Sequence, residues 1–291
     1  MNTLDARSLV SIEEHPDSTY VEFPMSPRSS TKVVCRALLF FVLCLAVLMV
    51  TGPIAKPLSF LTATLVVGAI SSALTFVLTW TFTRWDGRPL AEVGAAINSR
   101  SPRRFVFGFA IGMAVLATQV AFLLVDGHTQ WVPAPRLPFG TVLIALSGFV
   151  LLAVREELAF RGYLFFRLNS VWGVVPALLV MALIFGLEHL ASGWTPGRAI
   201  GTLGGALLFG MAALATRGLA VPIGLHAAFN FGQWALGLKE SPGIFQPLVD
   251  SGYLPHTDAV GYAGYFTGML LAAAGFWYQW KTDAQTSESR R

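Results

Sequence analysis

Long apolar runs separated by short polar segments dominate the chain from residue 34 onward. A run of about 20 apolar residues can cross the roughly 30 Å hydrocarbon core of a bilayer as a helix. Because backbone groups in hydrocarbon must be hydrogen-bonded within the protein, runs of this length favour helices. The pattern therefore predicts an all-α, polytopic transmembrane helical bundle of about eight spans, at residues 34–52, 58–82, 105–125, 139–166, 172–190, 198–216, 219–237 and 260–280.

The basic residues between these runs predict the orientation of the bundle. If each predicted span crosses the membrane once, every second loop lies on the same side as the termini. Lys and Arg are concentrated in the terminal segments and in these loops. Cytoplasmic segments of membrane proteins carry such an excess of Lys and Arg. We therefore expect both termini to lie on the cytoplasmic side of the membrane.

The segments outside the runs divide the chain into a transmembrane helical domain, residues 33–280, and two tails. Residues 1–32 are polar, rich in Ser and Pro, and lack an apolar core, which is typical of a disordered cytoplasmic tail and not of a signal peptide. Residues 281–291 form the second cytoplasmic tail. Between the second and third runs, residues 84–94 are expected to form a short amphipathic helix at the membrane interface.

The composition narrows the class of protein. Hydrophobic residues make up 54% of the chain and charged residues 12%, whereas soluble domains carry about 25% charged residues. The net charge of +4 is spread over the ends of the runs and not gathered in a basic patch, so we expect no nucleic-acid partner. Cys35 and Cys44 both lie in or beside the first run, which leaves neither a disulfide framework nor a cysteine metal site.

Four charged residues interrupt the fourth apolar run: Arg155, Glu156, Glu157 and Arg161. A charge near the bilayer centre costs at least about 2.5 kcal/mol, so such a cluster is a functional-site hypothesis by default. On a helix, Glu157 and Arg161 have the spacing and order of a favourable ion pair, whereas Glu156 points about 100° away. We therefore expect Glu157 to be structural and Glu156 to be available for chemistry.

Two further runs carry polar side chains at helical spacing. Phe185 precedes His189 by four residues, and His226 precedes Asn230 by four, so each pair shares a helix face. Glu188 is expected to face elsewhere, toward the outer headgroups. A carboxylate and an imidazole can deprotonate a water, and an imidazole and a carboxamide can stabilise an oxyanion. The combined set indicates a hydrolytic site without a nucleophilic Ser or Cys.

Each of these features also has a structural interpretation when it is taken alone. The Glu157–Arg161 pair can fix helix register inside the membrane, and His189 can be an interfacial histidine. His226 and Asn230 can form hydrogen bonds between packed helices. Only their joint occurrence favours a functional site.

The ordered set of motifs resembles that of the CPBP, or Abi, intramembrane proteases. The motifs are Glu-Glu-x-x-x-Arg at 156–161, Phe-x-x-x-His at 185–189 and His-x-x-x-Asn at 226–230. That family includes the type II CAAX prenyl endopeptidases and bacterial proteins of bacteriocin processing or immunity. The resemblance covers about residues 84–237, which would form the protease core.

The resemblance implies an intramembrane endopeptidase that cleaves a membrane-associated or lipid-anchored peptide, of CAAX or bacteriocin type, in a bacterial plasma membrane. It implies that Glu156 and His189 activate the water and that His226 and Asn230 form the oxyanion hole. It also assigns supporting roles to Glu157, Arg161 and Phe185. The partners expected are therefore a peptide substrate and the lipid bilayer.

A metal and two other functions remain alternatives. Glu156, His189 and His226 match the two-His, one-Glu ligand set of catalytic zinc. The compact H-E-x-x-H arrangement is absent, and Asn230 suits an oxyanion hole better than a zinc site, so we expect no cofactor. The other functions are a non-catalytic membrane scaffold or bacteriocin-immunity protein, and a small proton-coupled transporter that uses Glu156 as its proton site.

Overall fold

The computed structural model describes residues 27–134, 137–190, 193, 195–239 and 243–289. Most of these residues are helical, so the all-α prediction is confirmed. The helices are α1 (Pro27–Ala55), α2 (Phe60–Trp85), α3 (Ser101–Asp126), α4 (Phe139–Glu157), α5 (Tyr163–Trp172), α6 (Val174–Leu190), α7 (Pro196–Thr216), α8 (Ala220–Ala235) and α9 (Leu254–Ser289). A π-helical turn, Leu158–Gly162, joins α4 to α5 without a break. The described chain thus forms eight long helical segments, one for each predicted span.

Five of these segments, α1, α2, α3, α7 and α9, are long and apolar enough to cross a membrane by length and composition. The other three are the continuous α4–α5 segment, which holds the charged cluster, and the shorter helices α6 and α8. These three carry the polar motifs. The chain is therefore an integral membrane protein. Its candidate site lies on the α4–α5 segment, α6 and α8, the helices that are either charged or shorter than the five apolar ones.

Helix α7 lies deepest among the five apolar helices. Within its apolar window 61% of the residues are buried, against 22% for α1 and for α2. The core that surrounds it contains Phe185 of α6, Phe209 of α7 and Leu225 of α8. The helices that carry the polar motifs therefore pack into the interior of the bundle.

Helices α3 and α8 approach each other closely because glycines line their contact. A Cβ atom added to Gly108 would lie 2.0 Å from the Val221 carbonyl oxygen, and one added to Gly224 would lie 2.1 Å from the Phe105 carbonyl oxygen. Small residues at helix contacts allow backbones to meet in this way. The contact fixes α8, the helix that carries the third motif.

The segment between α2 and α3 is more compact than the expected interfacial helix. Its helical part is a single 3₁₀ turn, Leu90–Val93, and the Val93 side chain is buried. The side chain of Asp86, the residue after α2, is buried as well: it accepts a hydrogen bond of 2.7 Å from the Tyr163 hydroxyl and lies 2.9 Å from Nε of Arg167. These contacts dock the segment onto α5.

Two short strands lie between the helices, a feature that the hydrophobic pattern did not reveal. Strand β1 (Thr129–Pro133) pairs antiparallel with β2 (Phe245–Val249). Next to them, His128 contacts Asp250 at 2.9 Å and His256 contacts Asp126 at 2.7 Å. Five-residue strands are too short to give a clear alternating pattern between long apolar runs.

The predicted tails overlap the described residues only in part. Residues 1–26 of the N-terminal tail lie outside the described part of the chain, and α1 already begins at Pro27. At the other end, α9 continues to Ser289, so residues 281–289 extend the last helix.

Candidate active site

The charged cluster lies where the helix changes its winding. Glu156 and Glu157 are the last two residues of α4, directly before the π-helical turn. Such turns are rare and occur frequently at functional sites. NH1 of Arg161, inside the turn, lies 3.4 Å from Oε1 of Glu157, and both side chains are fully buried. The ion pair predicted from the sequence spacing is therefore present.

Glu157 has a second and closer partner that sequence reasoning missed. Its Oε1 atom lies 2.8 Å from Nδ1 of His226, on α8. Because a carboxylate only accepts hydrogen bonds, Nδ1 of His226 must carry a proton and donate it. Phe209 stacks on the same imidazole, with 4.6 Å between the ring centroids. Glu157 and Phe209 together fix the orientation of His226 and turn its Nε2 atom toward Glu156.

His189 on α6 is oriented in a similar way by its own helix. Its Nδ1 atom lies 3.0 Å from the carbonyl oxygen of Phe185, one turn earlier, and donates to it. The Phe185 ring packs against the imidazole. The Arg161 guanidinium lies 4.3 Å from the centre of the same Phe185 ring. Phe185 therefore supports the site with both its carbonyl group and its ring.

The three motifs converge on one carboxylate oxygen. Oε2 of Glu156 lies 3.7 Å from Nε2 of His226 and 3.9 Å from Nε2 of His189. These distances are too long for direct hydrogen bonds but suit a water or a substrate atom held between the groups. Among the described residues this oxygen has no hydrogen-bond partner, although it is buried. A buried polar atom without a partner in the protein is typical of a functional group.

Asn230 lies one helical turn after His226 on α8 and is partly exposed. Helical spacing places the two residues on the same face of α8. Asn230 and His189 are therefore the two partly exposed members of the predicted catalytic set, whereas Glu156 and His226 are buried.

Glu156, His189 and His226 are also the residues whose types could bind a metal. Both imidazoles donate Nδ1–H to a protein oxygen and turn Nε2 toward the site, an arrangement that metal-binding histidines share. In the described ranges no group of three or more His, Cys, Asp or Glu side chains has the geometry of a metal site. The absence of a cofactor stays a prediction.

The expectation that Glu188 faces the outer headgroups was wrong. Oε1 of Glu188 lies 2.7 Å from NH1 of Arg155, and the two side chains are only 12% and 2% exposed. A buried arginine needs a partner because an uncompensated charge in the interior is strongly destabilising. The sequence did contain a signal for this ion pair, because Arg155 lies in the charged cluster and had no predicted partner.

Comparison with known protein families gives an independent finding. Residues 138–232 match the family described as type II CAAX prenyl endopeptidase Rce1-like. The matched segment includes all three motifs and runs from the residue before α4 into α8. A search among curated proteins found no match. The resemblance inferred from the motifs is therefore confirmed over this segment.

Proposed function

Because residues 138–232 match the Rce1-like CAAX endopeptidases, we propose that the chain is an intramembrane endopeptidase. It hydrolyses a peptide bond of a membrane-associated or lipid-anchored peptide, of CAAX or bacteriocin type. The observation that carries this proposal is the convergence of two imidazole Nε2 atoms on the buried Oε2 atom of Glu156.

Glu156 is the general base in this proposal, and His189 orients the water. The water lies between Oε2 of Glu156 and Nε2 of His189, which can accept a hydrogen bond because its Nδ1 atom holds the proton. Glu156 removes one proton as the water oxygen attacks the peptide carbonyl carbon. The same proton then passes to the leaving amine nitrogen as the carbon–nitrogen bond breaks.

His226 and Asn230 stabilise the oxyanion that forms during the attack. In this proposal His226 donates from Nε2 to the oxyanion while its Nδ1–H stays bonded to the Glu157 carboxylate, 2.8 Å away.

The proposal is tested with the purified full-length chain in liposomes and a quenched fluorescent peptide that carries a prenyl group and a CAAX-type C-terminus. We expect the wild type to cleave it and Glu156→Gln to lose about 10²- to 10⁴-fold in rate, the range typical of a general base. Glu92→Gln is the matched control, because Glu92 pairs with Arg88 outside the site.

The same variants separate the alternative functions. Proton-coupled flux that Glu156→Gln abolishes, without any peptide cleavage by the wild type, would support a transporter. Partner binding that survives both Glu156→Gln and His226→Ala, again without cleavage, would support a scaffold or immunity protein.

A further inference from the structure

The ion pair between Arg155 and Glu188 is the buried charged feature that the proposed mechanism does not use. NH1 of Arg155 and Oε1 of Glu188 are 2.7 Å apart, and both side chains are almost fully enclosed. A buried ion pair is weak evidence for stability, since desolvation can offset the attraction. Its best-attested use is to fix how two elements align.

The pair lies at the positions where alignment matters most. Arg155 directly precedes Glu156 on α4, and Glu188 directly precedes His189 on α6. The ion pair therefore links the two helices one residue before Glu156 and one residue before His189, the two groups that bind the water in the proposed mechanism.

Helix α6 packs on α7 and on the α5 part of the continuous α4–α5 segment. Within the described chain it makes little contact with the α4 part, which carries Glu156. Near the site, the Phe185 ring also meets Phe160 in the π-helical turn, one helical turn before His189. The hydrogen bond from His189 to the Phe185 carbonyl fixes the imidazole relative to α6 only. The distance between His189 and Glu156 thus depends on how α6 is held against α4.

We propose that Arg155 and Glu188 are positioning residues, which hold His189 at the distance from Glu156 that lets both contact one water. This inference rests on the proposed function. A displacement of about 1 Å at a catalytic group can reduce a rate by about 10²-fold. Loss of the pair should therefore lower kcat and leave KM nearly unchanged, because the proposal gives neither residue a contact with the substrate.

A double-mutant cycle tests the proposal with the prenylated reporter peptide. Glu188→Gln, which keeps the size of the side chain and removes its charge, should lower kcat roughly 10- to 100-fold. The same change in a His189→Ala background should have almost no further effect, since the group that Glu188 positions is then absent. Glu188→Asp, which keeps the charge, should retain most of the wild-type rate. Glu92→Gln, in the exposed pair with Arg88, is the control.

An equal loss in both backgrounds would show a general structural role and overturn the proposal, as would a wild-type kcat for Glu188→Gln. A wild type without any cleavage would instead refute the proposed function. The positioning role is then decided by a distance measurement that needs no activity.

For that measurement, spin labels are placed on the exposed positions Ile144 of α4 and Leu183 of α6, with Cys35→Ser and Cys44→Ala to remove the native thiols. We expect a narrow distance distribution that Glu188→Gln broadens or shifts. Identical distributions with and without the charge would overturn the positioning role.

Discussion

Glu156 and Glu157 are adjacent in sequence, yet replacing them should have different effects on stability. Glu157 shares Oε1 between Arg161 and His226, and its side chain is fully buried. Glu157→Ala leaves the Arg161 charge without a counter-ion in the interior, a loss of about 3–5 kcal/mol for a broken buried pair. At about 2 °C per kcal/mol for a chain of this size, Tm should fall by roughly 6–10 °C.

Glu156→Gln should behave differently because Oε2 of Glu156 has no partner within hydrogen-bond distance in the described structure. Glutamine has nearly the same shape and no charge, so removing the buried charge should leave Tm unchanged or slightly raised. Its rate, however, should fall by about 10²- to 10⁴-fold, the contribution of a general base. Thermal melts of the purified variants in detergent and cleavage rates of the reporter peptide measure both effects.

Arg161→Ala is the matched partner variant, and its Tm should fall with that of Glu157→Ala. Glu157→Ala should also lose activity per folded molecule, because it releases the Nδ1 hydrogen bond that orients His226. An unstable Glu156→Gln together with a stable Glu157→Ala would refute the reasoning and exchange the two roles.

Three other experiments test separate parts of the account. Gly224→Ala should destabilise the protein strongly, since its Cβ would lie 2.1 Å from the Phe105 carbonyl oxygen, whereas Gly140→Ala has open space around it and should leave Tm nearly unchanged. Removing an oxyanion donor with His226→Ala or Asn230→Ala should reduce kcat by about 10²- to 10³-fold in the peptide assay; a rate close to wild type for both would remove the oxyanion hole from the mechanism. Exhaustive chelation should leave cleavage and Tm unchanged, and stoichiometric zinc that is lost together with activity would contradict the prediction of no cofactor.

The hydrophobic pattern was sufficient to predict the helical segments. Membrane spans need long apolar runs. The number and approximate bounds of the helical segments can therefore be predicted from the local sequence. The Glu157–Arg161 pair was predictable for a similar reason, because residues four apart meet on a helix. The order of the three motifs then indicated that their helices meet.

Contacts between distant residues were not predictable in this way. Glu157 and His226 are 69 positions apart, and their hydrogen bond depends on the packing of α4 against α8, beside the π-helical turn after Glu157. No local spacing rule predicts that turn, because π-helical turns are rare single turns inside α-helices. The Arg155–Glu188 pair was missed because each residue was considered on its own helix.

The most direct test of the central claim is the cleavage of one prenylated CAAX-type peptide by the full-length protein in liposomes, in isotopically labelled water, followed by mass spectrometry. We predict that the wild type breaks one peptide bond and places one labelled oxygen in the new carboxyl group, and that Glu156→Gln does so at least about 10²-fold more slowly. Peptide that stays intact with the wild type, or equal rates for wild type and Glu156→Gln, would contradict the claim.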